Sequence, residues 1–508
     1  MLPMVVASGP GSASRQAIGT GVFFGMIVAV SVGILLVPFF FVLIYKAKGK
    51  FNRKRLSGAG LILLVAGTGL SSCQIGKSYT RPDMPLPARL DTLTQDTASI
   101  GDLSWWELYN DTTLQQLIHR ALTYNKDLKI ASARMNELAA LKRVDFANMF
   151  PQATARLNGN RETTNYGGDN FDADSELSLT ASISWELDLW GNLRWARDRS
   201  TAEFLASVEN CRAVKMGLVA QVAQSYFELM ALDNELAIVR RTLEARREGV
   251  RLAEIRFKGG LTSEIVFQQA KVELAKTATM VPDLERRISL KESEIALLTG
   301  DFPYAVNRNI LPEEIQLPNA LGLPSTLLER RPDIRKAERE LMAAHAEVGL
   351  AYTNMFPRLA LTATLGTESE TLRDFLKSPY SYLVGNLLSP LFAMGKNRAA
   401  LKAKRAAYEG AVAEYEQTVL TAFKETHDAI INFNKIKDIY ESRRQLAEAS
   451  RTAVELAQLQ YINGVIGYLD LLDAQRNYFD AQVSLSNAVC NKQLMIINLY
   501  KALGGGWK

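Results

Sequence analysis

Cysteine and histidine are almost missing from this chain, with three of each in 508 residues. Cys73, Cys211 and Cys490 lie far apart, so they suggest neither a disulfide framework nor a cysteine-based metal site. Cys211 and Cys490 fall in helical patterns and are expected to be buried apolar fillers. His119, His345 and His427 are equally scattered, and each is expected on a helix surface or at an interface. No nucleophile–base pair or metal-ligand cluster stands out, so the sequence shows no enzyme. Charge of one sign is scarce too. The net charge is +5, acids and bases interleave, and no basic stripe alternates with aromatics, so nucleic acid is not an expected partner. Proline is absent from Leu193 to Phe257 and again from Leu391 to Lys508.

What the chain does have is duplication. Asn148-Met149-Phe150-Pro151 returns as Asn354-Met355-Phe356-Pro357, about 206 residues later. Ile255-Arg256-Phe257-Lys258-Gly259-Gly260 and Leu459-Gln460-Tyr461-Ile462-Asn463-Gly464 interrupt two long helical patterns about 204 residues apart. Trp190-Gly191 and Met394-Gly395 close the two intervening alternating stretches. Length alone would suggest two or three domains; the repeat suggests two halves of one elongated architecture.

The proline-free stretches carry apolar residues at intervals of three and four. Leu218, Val222, Tyr226, Leu229, Leu232, Leu236, Val239 and Leu243 mark the first; Tyr408, Val412, Tyr415, Val419, Phe423 and Ile430 mark the second. The spacing resembles a coiled coil. About sixty residues of helix would reach about 90 Å, several times the usual length. Second long helices are expected over Glu264–Leu298 and Tyr468–Leu503, so each copy ends in a helical hairpin with its tip at Gly260 or Gly464. Shorter helices, Leu114–Ala147 and Arg335–Asn354, precede strands.

Glu176 to Asp188 alternates without a break: Leu177, Leu179, Ala181, Ile183, Trp185 and Leu187 point one way and polar residues the other. Ala153–Leu157 and Leu359–Leu365 repeat the theme, and Tyr380–Leu391 is a fourth, less regular stretch containing Pro390. The polar segment Gly159–Ser175 reads as a loop. By periodicity alone a half-buried soluble sheet is the commoner outcome. The export signal described next, and the lack of helices spaced to cover these strands, favour a lipid-facing wall. Four strands cannot close a barrel, so several chains would have to share one.

The amino terminus carries two membrane signals. Gly21–Tyr45 is an apolar run of spanning length. Lys46, Lys48, Lys50, Arg53, Lys54 and Arg55 follow, then a shorter apolar segment, Leu56–Leu70, ending Leu70-Ser71-Ser72-Cys73. This second unit resembles a bacterial lipoprotein signal, in which Cys73 would be lipidated and become the mature first residue; Gln74 after it favours the outer membrane. Both segments satisfy the positive-inside rule with the basic loop in the cytoplasm.

The strings Arg330-Arg331-Pro332-Asp333-Ile334-Arg335, Asn354-Met355-Phe356-Pro357, Leu471-Leu472-Asp473-Ala474-Gln475-Arg476 and Asn498-Leu499-Tyr500-Lys501-Ala502-Leu503-Gly504-Gly505-Gly506-Trp507 resemble the TolC family of outer-membrane efflux proteins. The resemblance is to the lipoprotein branch that serves resistance-nodulation-division (RND) pumps. It implies an α+β fold: a duplicated strand–helix repeat, a homotrimeric twelve-stranded outer-membrane β-barrel, and a long periplasmic α-helical coiled-coil barrel. Residues 1–50 resemble the last transmembrane helix of an RND transporter, which suggests a gene fusion or a start site placed too early. The expected organisation is that segment, a signal peptide over 51–72, a lipidated segment over 73–113, repeats over 114–300 and 326–508, and a linker over 301–325.

The resemblance also implies a passive export duct, lipid-anchored and membrane-spanning, with a periplasmic adaptor, an inner-membrane RND pump and outer-membrane lipid as partners. No cofactor is expected beyond the covalent lipid on Cys73. Leu469, Asp470, Asp473 and Arg476 match the family's periplasmic gate. Phe257, Gly260, Tyr461 and Gly464 match its adaptor-contacting tips. A carboxylate ring would attract cations, and Asp473 with Arg476 would tether neighbouring helices. Without the resemblance, a solvated surface pair is the plainer reading of those two, and a turn requirement the plainer reading of the glycines. Competing architectures are a cytosolic coiled-coil scaffold, an envelope-spanning tether without a pore and an enzyme-bearing lipoprotein. The scaffold leaves the strands and the cysteine signal without a role.

Overall fold

The computed structural model describes residues 74–85, 104–108, 111–165, 172–311, 328–371 and 373–506. Cys73 and the segments called at 1–50 and 51–72 lie outside the described residues.

A short helix α1 (Trp105–Leu108) precedes the first repeat, which opens with α2 (Thr112–Tyr124) and α3 (Lys126–Ala147). The single helix expected over Leu114–Ala147 is therefore two. Asn125 breaks it: its backbone leaves the helical region at ψ 135°, its side chain accepts from Leu128 N at 2.9 Å, and its amide donates to Leu298 O at 3.0 Å. A capping side chain that bonds both its own helix and a neighbouring one outweighs the helical periodicity.

Strands β1 (Gln152–Thr164) and β2 (Asp172–Leu187) follow, then α4 (Asn192–Lys258) and α5 (Glu264–Leu298). The second repeat gives α6 (Pro332–Thr353), β3 (Arg358–Ser369), β4 (Pro379–Leu388), α7 (Lys396–Ile462) and α8 (Tyr468–Ala502). The expected loop over Gly159–Ser175 is largely strand, since the β1–β2 ladder runs on to Thr164 opposite Asp172. A ladder uses backbone groups and tolerates polar side chains where both faces meet water. Strand β4 stops two residues before Pro390, which has no N–H for a ladder.

Helices α4 and α7 are 67 residues each, about 100 Å of continuous helix at 1.5 Å per residue. Both begin at a left-handed glycine, Gly191 (φ 82°) and Gly395 (φ 78°), at the turn out of the sheet. Helix α4 is central, packing on α2, α3, α5, α6 and α8, while α7 packs on α6 and α8. Their shared core contains Tyr226, Leu229, Ile295, Ile334, Leu341 and Ile497, all fully buried. Trp105 joins it, whereas Trp106 stays half-exposed. The first part of the expected linker is firmly held: Val306 and Leu311 are buried, and Arg308 pairs with Asp233 and Glu292.

The amino-terminal segment lies as a strap across α4 and α6. Ile75 N donates to Trp190 O at 3.2 Å, Trp195 Nε1 donates to Ile75 O at 2.9 Å, and Arg81 makes two 2.7 Å bonds to Glu338. His345 lies at an interface between α6, the strap, α4 and α7. It is packed edge-on among Tyr79, Trp195 and Tyr408 at 5.6–5.9 Å, and burial pulls its pKa below the ordinary value. Of the two helical cysteines, only Cys490 is buried, its thiol pushed up to about 12; Cys211 is half-buried beside Ser132.

Candidate functional site: a membrane wall and a helical gate

The sheet is a meander, β1-β2-β3-β4, antiparallel throughout. Register puts Leu179 between Leu157 and Thr367, Ala181 between Ala155 and Leu365, and Ile183 between Ala153 and Ala363. One face is therefore apolar across all four strands, and none of the described residues covers it: Ile183 is 54% exposed, Leu365 67% and Leu387 68%. The other face carries Arg156, Glu176, Ser182 and Thr364, the last two hydroxyls 3.0 Å apart. An apolar face this size in water is an aggregation hazard; against lipid it is stable. Strands β1 and β4 are both edges, 13 and 10 residues long, so the wall closes only by pairing with further copies. Among the described residues no helix is long and apolar enough to cross a membrane.

About 100 Å of helix separates this wall from the hairpin tips. Near the tips, α4 lies between α5 and α8. Arg246 of α4 is buried there, donating to Gln475 Oε1 of α8 at 2.8 Å and lying 3.8 Å from Glu273 of α5. Glu273 is itself buried, and Arg476 of α8 bonds to its other carboxylate oxygen. Burial pulls the Arg246 guanidinium below its ordinary pKa, while the Arg476 hydrogen bond holds the Glu273 carboxyl below its own. Arg246, Glu273 and Arg476 thus join three helices from both repeats.

Within one chain Arg476 ties helices together, while Asp473 accepts from Asn477 of its own helix at 3.1 Å and makes no ion pair among the described residues. Asp470 is also occupied locally, accepting from Gly467 N at 3.0 Å as the cap of α8. Leu469 is 61% exposed at the start of α8, an apolar side chain with little to cover it in one chain. Glu273 and Arg246 escaped the sequence reading, although both interrupt core periodicity. Leu232, Val239, Arg246 and Ala253 fall at intervals of seven, and Ala270, Glu273 and Thr277 lie on one stripe. A charge at a core heptad position is the signal that marks such a pair.

The two tips share one geometry. Gly260 N donates to Phe257 O and Leu261 N to Arg256 O; Gly464 N donates to Tyr461 O and Val465 N to Gln460 O. Both glycines are left-handed, φ 71° and 75°, and a Cβ on either would meet open space. Their local requirement is backbone conformation rather than close packing. Phe257 stacks on Phe267 at 6.1 Å. Arg256 reaches from the first tip to the second, its guanidinium 4.5 Å over the Tyr461 ring and bonded to Tyr461 O and Ile462 O, the carbonyl end of α7.

A lipid-facing strand wall that no single chain can close, continuous with helices long enough to bridge a periplasm, defines an outer-membrane channel. Comparison with known proteins agrees. The sequence profile described as outer membrane efflux protein matches residues 117–301 and 323–505, and the chain belongs to that family. It is 31% identical to the outer membrane protein OprJ of Pseudomonas aeruginosa, covering 88% of this chain and 96% of the relative. It is 29% identical to the probable outer membrane lipoprotein SilC of Salmonella typhimurium, covering 90% and 99%. The solved structure of the outer-membrane channel OprN superposes with a TM-score of 0.80 at 30% identity, covering 86% of this chain and all of that one. Residues 1–45 match a second profile, that of the AcrB/AcrD/AcrF family. The chain is thus a trimeric outer-membrane channel of the RND efflux class, its helices extending into the periplasm.

Proposed function

We propose that this chain is the passive exit duct for one RND pump and its periplasmic adaptor, anchored by lipid on Cys73 and closed at rest by its α8 helices. The match of residues 1–45 to a pump family supports a partner pump encoded beside it. The course of the strap supports the anchor. Gln74, the first described residue of the strap, packs against Gly191 at the turn between sheet and helix. Labelling cells with radioactive palmitate tests this: the chain should carry label, and Cys73→Ala should carry none.

The observation that carries the gate is the trio of buried Arg246 and Glu273 with half-exposed Arg476, which binds α8 to the first repeat just above the tips. With α8 held, Leu469 forms an apolar constriction at the three-fold axis, and Asp470 and Asp473 give its mouth a negative rim. The tips, with Phe257, Gly260, Tyr461 and Gly464, receive the adaptor, and its docking draws α8 outward. Energy comes from the pump, and no bond is made or broken in the duct. Planar-bilayer recording tests the gate: resting trimers should conduct in small, brief events, and Arg476→Ala should lengthen and enlarge them. Unchanged events in a confirmed trimer would reject this gate.

A further inference from the structure

Two cavities flank α6 where the sheet passes into the helices. At about 3.6 residues per turn, His345, Val348, Gly349 and Tyr352 look to one side and Glu347, Leu350, Ala351 and Asn354 to the other. The first side is covered by the strap residues Ile75 to Thr80. The second opens on a cavity of about 680 Å³. Its upper rim is formed by Arg358 and Leu388, directly opposed in the β3–β4 register and on the polar face of the wall, the face turned to the lumen.

The chemistry of this cavity runs against that of the gate. Arg199, Arg358, Lys396 and Lys404 line it, with Glu347 the one acid among the lining residues. Lys404 is matched to Glu347 at 2.6 Å and Arg199 to Asp145 at 3.4 Å. Arg358 and Lys396 make no ion pair among the described residues; Arg358 donates to the neutral Asn354 Oδ1 at 2.7 Å. Two uncompensated cations therefore stand over a floor of Leu350 and Phe356. A cationic rim over an apolar floor fits a molecule with an anionic head and an apolar body.

We infer that this throat cavity is a transit subsite for anionic amphiphiles, carboxylates or sulfonates with an aromatic or aliphatic body, one site per chain. The inference rests on the trimeric-duct reading, which places this side of α6 on the lumen. Cargo of this class would pause at Arg358 and Lys396, whereas cationic cargo of the same shape would pass without binding.

Calorimetric titration of lipid-nanodisc trimers, with empty nanodiscs subtracted, tests this with 1-naphthalenesulfonate and the isosteric cation 1-naphthylmethylammonium. The sulfonate should saturate near one per chain and weaken with salt, and the ammonium should show no saturation. Arg358→Gln with Lys396→Gln should weaken sulfonate binding at least tenfold. Leu350→Ala, which keeps both charges, should weaken it several-fold. The proposal falls if the sulfonate does not saturate, if both probes bind alike, or if the charge variant binds as the parent does. Conductance of the same trimers separates the two readings: a conducting trimer that ignores the sulfonate sinks the subsite alone, and a chain that forms no conducting trimer sinks the duct.

Discussion

Replacing Glu273 by glutamine keeps its shape and removes its charge. Glu273 is 5% exposed and Arg246 7% exposed, so neither charge has water to fall back on. Breaking a buried pair by removing one partner costs about 3–5 kcal/mol. The Arg476 side chain is 49% exposed, which makes its half of the trio cheaper, and Gln475 still accepts from Arg246. About 2–3 kcal/mol is then the cost charged to the closed state, a shift of about 30- to 150-fold toward open. The assay is open probability and single-channel conductance of purified trimers in planar bilayers at neutral pH. Glu273→Gln and Arg476→Ala should each raise both quantities, and Asp473→Ala should do so far less, because among the described residues Asp473 bonds within α8. A Glu273→Gln trimer that is intact in detergent and gates as the parent does would refute the argument. So would an Asp473→Ala effect equal to that of Arg476→Ala.

Acid should reach the same latch: the Arg476 bond lowers the Glu273 pKa in the closed state, so the latch is complete above the ordinary value of 4.5 and is lost as pH falls through the lowered one. Open probability should hold steady from neutral pH down to about 4.5 and rise below it, and Glu273→Gln should abolish that rise. Bulky residues at Gly260 and Gly464 face a left-handed backbone costing about 1–2 kcal/mol each and no steric neighbour. Trimers should survive on native gels while efflux, read as drug or dye retention, is lost; missing trimers would reduce the glycines to a folding role. Ile183→Lys puts a charge on the uncovered apolar face at about 2–4 kcal/mol and should keep the chain out of outer-membrane fractions, whereas Ser184→Lys, one residue along and on the polar face, should be tolerated. A Cβ at Gly349 would lie 2.3 Å from the Trp195 ring. Gly349→Ala should therefore lower stability by about 1–3 kcal/mol, measured as a fall in the melting temperature, and an unchanged value would mean the ring moves freely.

Periodicity carries most of the fold. The alternation from Glu176 places the membrane wall, and the proline-free three-and-four patterns place α4 and α7 to within a residue or two, because a register over tens of residues admits one face only. Local side-chain bonding is harder to read: Asn125 breaks a helix through partners, Leu128 and Leu298, that only the folded chain assembles. Loop chemistry misleads near the tip of the β1–β2 hairpin, where backbone pairing runs on through polar residues. In the gate, strings in α8 point to Arg476 but not to its partner, since Glu273 lies 203 residues away in the other repeat. The cationic throat draws Arg199 from α4, Arg358 from β3 and Lys396 and Lys404 from α7, and no single spacing unites the three elements.

The unpaired rims of the sheet have a consequence for inheritance and for interference. Because each copy supplies a third of the cylinder and cannot shut its own gap, a subunit with a spoiled rim disables two sound companions along with itself. Co-expressed damaged and intact genes should therefore yield far less working transporter than their ratio suggests, and a short peptide imitating either rim would act before the conduit exists rather than after.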